Sequence, residues 1–241
     1  MKIDYPAEGQ IPALRNLWTE AFGDDDDFLD IFWDTAFSPD RCRCITVDSQ
    51  VAAALYWFDC RFDGKPIAYI YAVATAKAFR GQGLCRKLMD NTRDLLAGLG
   101  YSGSILVPDG HLFGMYESMG YQVCSSVRKF SCKAGEPVAL REIDAEEYAQ
   151  LRRQYLPTGG VVQENENLQL LSALTKLYAG EDFLYAEDAE LLGNAEAAPG
   201  ILAALGKESG SFRCPGQETP FAMYLPLDGQ IAPTYFGLAF D

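Results

Sequence analysis

The sequence predicts an α+β protein: a mixed, mostly antiparallel sheet flanked by helices, followed by a second, smaller α+β domain. Three observations carry this. Between Cys44 and Thr75, runs rich in β-branched and aromatic residues are broken only at Asp48-Ser49-Gln50 and Asp63-Gly64. Both breaks are turn chemistry, so three strands form an antiparallel meander. An amphipathic stripe from Gly83 to Ala97 then separates two strand-like runs, and a crossover helix between strands makes part of the sheet parallel. After residue 131 the composition shifts. Residues 1–130 hold 13 basic and 17 acidic residues, and residues 131–241 hold 7 and 17. The expected domains are therefore 1–132 and 133–241, the second carrying a net −10.

The elements follow in order. Ile11, Leu14, Leu17, Trp18, Ala21 and Phe22 form a helical stripe that Gly23 ends. Asp24 to Asp27 suit the N-terminus of a second helix and read as a solvated cap. Their run lacks the spaced ligands of a calcium loop. The third meander strand runs from about Ile67 to Thr75. In the helix after it, Leu84, Leu88, Thr92, Leu95 and Leu96 face inward, and Gly98 and Gly100 end it. A short strand at Ile105–Val107, a short helix in HLFGMYESMGY and a strand in QVCSSVRKFSC complete the first part. In the second, Asp144 and Glu147 form a capping pair for a helix reaching about Tyr155. Gln163 to Tyr178 reads as another helix and FLYAEDAELLG as a hairpin. AAPGILAALG reads as a short helix, and PFAMYLPL and TYFGLAF as terminal strands.

Bulk properties narrow the function. The 241 residues carry 20 Lys or Arg and 34 Asp or Glu, net −14. Such a balance argues against nucleic acid as a partner. No apolar stretch approaches the roughly 20 residues of a spanning helix, and MKIDYPAEGQ has no signal-peptide core. A cytoplasmic protein with seven reduced cysteines is expected. No metal is expected, because Cys42 and Cys44 form a CxC pair and His111 is the sole histidine.

Against this acidity, residues 66–100 hold five basic and two acidic residues. Arg80-Gly81-Gln82-Gly83 lies between a strand and a helix. Glycine lets backbone approach a ligand closely, and the first helical turn presents unpaired N–H groups to an anion. With Arg80, Arg86 and Lys87 nearby, the stretch reads as a phosphate site. The P-loop spacing and the third glycine of the dinucleotide fingerprint are both missing.

A strand, then Arg80, Gly81, Gln82, Gly83, Leu84 and Cys85, then a helix, resembles the signature of the GNAT superfamily of acyl-CoA N-acyltransferases. So does Tyr116 in MYESMGY before the Gly120-Tyr121 turn. The resemblance covers residues 1 to about 130. Cys85 replaces the usual glycine or alanine, and Asp109 stands where many relatives carry asparagine. The layout also partly resembles the enhanced intracellular survival type acetyltransferases, in which a second, degenerate acyltransferase-like unit follows the first.

The resemblance implies acetyl-CoA as donor. Backbone amides of Gln82, Gly83, Cys85 and Arg86 would cradle the pyrophosphate. The strand edge from Val73 to Thr75 would pair with pantetheine and polarise the acyl carbonyl. Tyr116 would protonate the departing thiolate. The acceptor would be a primary amine of a cationic small molecule or peptide, attacking directly, and the net −10 of the second part would attract a polyamine, an aminoglycoside-like molecule or a lysine-rich peptide. Asp59, Asp109 and Glu117 are candidate bases, and the terminal carboxylate of Asp241 is another by the second resemblance. A rival reading is a non-catalytic acyl-CoA-binding or sensing protein. A third is a self-associating structural domain, so the sequence allows a homo-oligomer.

Overall fold

Both polar breaks in the meander are two-residue turns with positive φ at each position. Asp48 and Ser49 (φ 47° and 68°) join β2 (Cys42–Val47) to β3 (Gln50–Phe62). Asp63 and Gly64 (φ 50° and 74°) join β3 to β4 (Lys65–Thr75). This mirror-image turn matches the right-handed twist of its strands. A short β1 (Lys2–Asp4), not anticipated from the sequence, pairs with β2. The computed structural model describes residues 1–229 and 231–240, so the Asp241 expectation lies outside the described residues.

Two helices precede the meander, α1 (Ile11–Phe22) and α2 (Asp26–Thr35). Gly23, at φ 82°, terminates α1. Of the four aspartates, Asp25 caps α2 by accepting the Phe28 N–H at 3.0 Å. Asp24 instead accepts the Trp18 indole N–H at 2.7 Å. The helix α3 (Leu84–Gly98) returns the chain to β5 (Gly103–Leu106), which runs parallel to β4. Then follow α4 (Phe113–Glu117) and β6 (Gln122–Lys133).

The remaining chain builds a second sheet and then returns to the first. It runs through β7 (Arg141–Ile143), α5 (Ala145–Tyr155), β8 (Val162–Gln163) and α6 (Glu166–Leu174). It continues through β9 (Leu177–Ala179), β10 (Phe183–Ala186), β11 (Glu190–Gly193) and α7 (Ala198–Ala204). The last strands are β12 (Ser209–Pro215) and β13 (Thr219–Pro226). The small sheet is antiparallel, in order β11-β10-β9-β7. The large sheet has the order β1-β2-β3-β4-β5-β13-β6-β12, with β8 on β3. Of its pairings only β4 with β5 is parallel. A division at residue 132/133 therefore separates the two sheets only in part. The strand β13 lies between β5 and β6, and β12 extends the same sheet.

Two expected elements differ. The stretch Gln163–Tyr178 is not one helix: Gln163 sits in β8, α6 ends at Leu174, and Thr175 turns extended at φ −149°. Tyr178 then pairs with Tyr185 and Glu142, so sheet pairing overrides the helical spacing of the leucines. The tail TYFGLAF is buried but is not a ladder strand. Its single bridge is Tyr235 with Gly160. Side chains satisfy its backbone instead: Ser125 at Phe236, Gln163 at Leu238, Arg213 at Ala239 and Tyr71 at Phe240.

A buried polar knot anchors this tail. Arg152 of α5 donates to both carboxylate oxygens of Glu190, at 2.8 and 3.1 Å. Tyr235 donates to Glu190 at 2.7 Å, and Arg152 also reaches the Val161 carbonyl and Gln163. Gly237 passes so close that an added Cβ would lie 1.7 Å from Glu190 Oε1 and 2.3 Å from the Tyr235 hydroxyl. Gly237→Ala should therefore lower the melting temperature by roughly 3–10 °C, as overpacking does in a chain of this size. An unchanged scanning-calorimetry midpoint would contradict this packing.

Candidate active site

The site begins where two strands part. Parallel pairing of β4 with β5 ends at Tyr69 with Ile105, yet β4 continues to Thr75. Beyond Tyr69 no strand among the described residues lies against this edge of β4. A bulge then re-aims the side chains: Ala72 and Val73 together oppose Leu55, and Ala72 takes φ 48°. Before the bulge, Tyr69 and Tyr71 face the side carrying α1, and Ile70 faces the side carrying α3. After it the parity reverses, so Val73 packs on the α3 side. The Ala76 N–H bonds to Ala52 on β3, so by alternation Thr75 presents its backbone to the open edge. Its carbonyl there accepts Arg80 Nε at 3.0 Å.

Next to that edge stands the glycine turn. Gly81 and Gly83 have φ of 77° and 72°, and an added Cβ on either meets nothing within 4 Å. The turn thus faces open space. Gly83 is the N-cap of α3, and the first backbone bond of the helix runs from Lys87 N–H to the Gly83 carbonyl. The amides of the turn before Lys87 are the ones a helix leaves for a ligand. Two arginines that the sequence suggested as charge carriers have structural ties. Arg80 holds Thr75, and Arg86 donates to the carbonyl and hydroxyl of Ser118, tying α3 to the end of α4. Gln82 and Lys87 are exposed, and Cys85 is half-buried against the α3 core.

Tyr116 of α4 lies on the α3 side, 6% exposed, with Tyr121 edge-on at 5.9 Å. Its hydroxyl makes no hydrogen bond among the described residues, and the side chain borders the cavity. Burial pushes its pKa above the ordinary value of 10, with the neighbouring Cys85 as a secondary cause. The hydroxyl is therefore a retained proton source at neutral pH. Tyr121 differs, since its hydroxyl is paired with Ser104 at 2.7 Å.

A cavity of about 640 Å³ runs through the splay. Ile70, Val73, Leu112, Phe113 and Tyr116 line it on the α3 side. Trp18, Tyr69, Tyr71, Phe221 and Phe240 line it on the α1 side. The parted strands thus bring side chains from both faces of the sheet to one cavity.

The structure brings Val73 and Tyr116 into this cavity, whereas Thr75 and the Gly81–Gly83 turn at the α3 terminus are outside its lining. It separates the candidate bases. Asp59 lies in another recess, where it accepts the Tyr101 hydroxyl and sits 3.8 Å from Arg41. Glu117 is exposed and outside the lining, so neither residue reaches the cavity. Asp109 borders the cavity, accepting the Gly110 N–H at 2.6 Å with His111 at 3.4 Å. Asp24, Lys129 and Phe240 also line the cavity and were not anticipated from the sequence. No local spacing links them. Among the described residues no group of three or more His, Cys, Asp or Glu is placed to hold a metal. None of the described helices is long and apolar enough to cross a membrane.

A parted β4–β5 edge, a glycine turn opening α3 and a buried tyrosine bordering the cavity at that edge are the parts of an acetyltransferase. The model of the acetyltransferase (GNAT) domain matches residues 2–124, just over half of the chain, and the chain belongs to that family. Solved structures share the fold over nearly the whole chain. A GCN5-related N-acetyltransferase from Anabaena variabilis is 15% identical, with a TM-score of 0.72, 94% of this chain covered and 72% of that one. One from Kribbella flavida is 18% identical, with a TM-score of 0.67 and the same coverages. Eis1 from Mycobacterium abscessus is 12% identical, with a TM-score of 0.69, 95% of this chain covered and 74% of that one. No curated protein sequence matches.

Proposed function

We propose that this acetyltransferase moves an acetyl group from acetyl-CoA to a primary amine by direct attack. The observation that carries the reading is the cavity at the open β4 edge, bordered by a Tyr116 hydroxyl without a hydrogen-bond partner among the described residues, with the helix-terminal glycine turn following the same strand and tied to it through Arg80 and Thr75. The amides of Gln82, Gly83, Cys85 and Arg86 suit the pyrophosphate, and the exposed, unobstructed Gly81 and Gly83 leave room for it. The backbone from Val73 to Thr75 offers pantetheine a strand-like partner and the acyl oxygen a donor.

In the reaction the acceptor ammonium first loses a proton, by way of water or a carboxylate. Asp109 borders the cavity, and the Asp241 carboxylate belongs to the same proposal. The amine nitrogen then forms its bond to the acyl carbon and the carbon–sulfur bond breaks. Tyr116 gives its proton to the leaving thiolate, the nitrogen releases its second proton to solvent, and Tyr116 regains one from solvent. The products are the amide, free CoA and one proton.

The test is release of free CoA thiol from acetyl-CoA, dependent on added amine, with the N-acetylated product identified by mass. Absence of product at saturating donor across primary amines would overturn amine transfer. Two further outcomes are expected. Gly83→Ala places a Cβ at φ 72°, a backbone that costs about 1–2 kcal/mol; the exposed turn relieves this by relaxing when free, so restoring it around acetyl-CoA should weaken binding about tenfold by calorimetry, with the fold retained. The raised Tyr116 pKa keeps the acid protonated as pH rises. The profile of kcat should therefore show no alkaline fall below about pH 10. A fall centred near pH 8 would assign the acid elsewhere.

A further inference from the structure

The overall charge suggests a polycationic acceptor, but that charge is not in the cavity. Among the described lining residues only Asp24, Asp109 and Lys129 carry formal charge. Asp109 stands on the loop before α4 and is engaged with Gly110 and His111. The α1 side therefore offers one carboxylate and one ammonium. Its other walls are six aromatic rings, those of Trp18, Phe22, Tyr69, Tyr71, Phe221 and Phe240.

Asp24 is held for a purpose that capping does not explain, since Asp25 performs the cap. The carboxylate is half-buried, and Oδ2 accepts the Trp18 indole N–H at 2.7 Å. Among the described residues Oδ1 has no hydrogen-bond partner, and the group faces the same cavity as the Trp18 ring. Lys129 stands over the Phe221 ring, 5.6 Å from its centre. A molecule with several ammonium groups would strip water from each of them against aromatic walls. Among the described residues it would find one carboxylate on the α1 side for them all and would meet Lys129 as a like charge. A single ammonium is served by Asp24 and by the ring faces. An apolar or aromatic body is served by the rest of the wall.

We infer that the acceptor is a monoamine with an aromatic or bulky apolar body, whose ammonium is received by Asp24. This rests on the proposed transfer to an amine and names the substrate class for it. The polyamines and aminoglycoside-like acceptors that net charge suggests are disfavoured by the cavity itself.

The experiment uses the full chain with saturating acetyl-CoA and follows thiol release with three probes: 2-phenylethylamine, spermidine and kanamycin. The expected kcat/KM for 2-phenylethylamine exceeds that for the other two by at least about tenfold. Asp24→Asn keeps an acceptor for the Trp18 N–H and so should keep the fold. It should raise the KM for 2-phenylethylamine about tenfold or more, with acetyl-CoA affinity unchanged by calorimetry. Preference for spermidine or kanamycin, or a KM indifferent to Asp24→Asn, overturns the substrate class. Acetyl-CoA binding without turnover of any probe also overturns it and leaves the donor site standing. Absence of acetyl-CoA binding removes the donor reading and this inference together.

Discussion

Tyr116→Phe will lower kcat by about 10²–10⁴-fold, the usual contribution of a positioned general acid, while acetyl-CoA binds within about threefold of wild type. The substitution removes one oxygen from a side chain that is 6% exposed and keeps the ring that packs against Tyr121. The hydroxyl makes no bond among the described residues, so its loss leaves no protein group unpaired and the fold should be unaffected. That separates chemistry from stability at this position. If turnover survives within a few-fold, Tyr116 is a wall residue and the leaving thiolate takes its proton from water. If turnover and donor affinity fall together, the tyrosine shapes the donor site rather than supplying a proton.

The second large effect is on stability. Glu190→Gln removes the charge that Arg152 faces, and both side chains are almost wholly buried, 0% and 3% exposed. Leaving one member of a buried pair uncompensated costs about 3–5 kcal/mol. In a chain of this size that is a fall in melting temperature of roughly 6–20 °C. The knot also includes Tyr235 and borders Gly237 in the tail. Loosening it should therefore free the tail that places Phe240 in the cavity, and acceptor KM should rise more than donor Kd. Arg152→Met added to Glu190→Gln should not add its own full cost, because the two residues share one interaction. Strict additivity would show that they act independently.

What could be read from the sequence was local. Asp48-Ser49 and Asp63-Gly64 announce hairpins because few residue pairs tolerate two positive φ values in succession. The glycine turn before α3 was legible for the same reason, since Gly81 and Gly83 have left-handed backbones beside a helix start. Tyr116 was located by its place before Gly120-Tyr121, not by its residue type. What could not be read was non-local. Nothing in TPFAMYLP says that β13 enters between β5 and β6, because a strand's partners are set by the rest of the sheet. The α1 side of the cavity assembles Trp18, Lys129, Phe221 and Phe240 from four distant segments. Asp24 was hidden in a run of four aspartates that a helix cap already explains. The leucines of α6 predicted a helix running on to Tyr178, but cross-strand pairing with Tyr185 claims that residue. Net charge does not describe the site: of the described lining residues only Asp24, Asp109 and Lys129 are charged, and the α1 side is walled by rings.

The central claim is that the α3 terminus and the parted β4 edge form a donor site for acetyl-CoA. Calorimetric titration of the full chain with acetyl-CoA, beside free CoA and the Gly83→Ala variant, tests it most directly. Saturable micromolar binding of both ligands is expected, about tenfold weaker in the variant. Folded protein that binds neither ligand would contradict it.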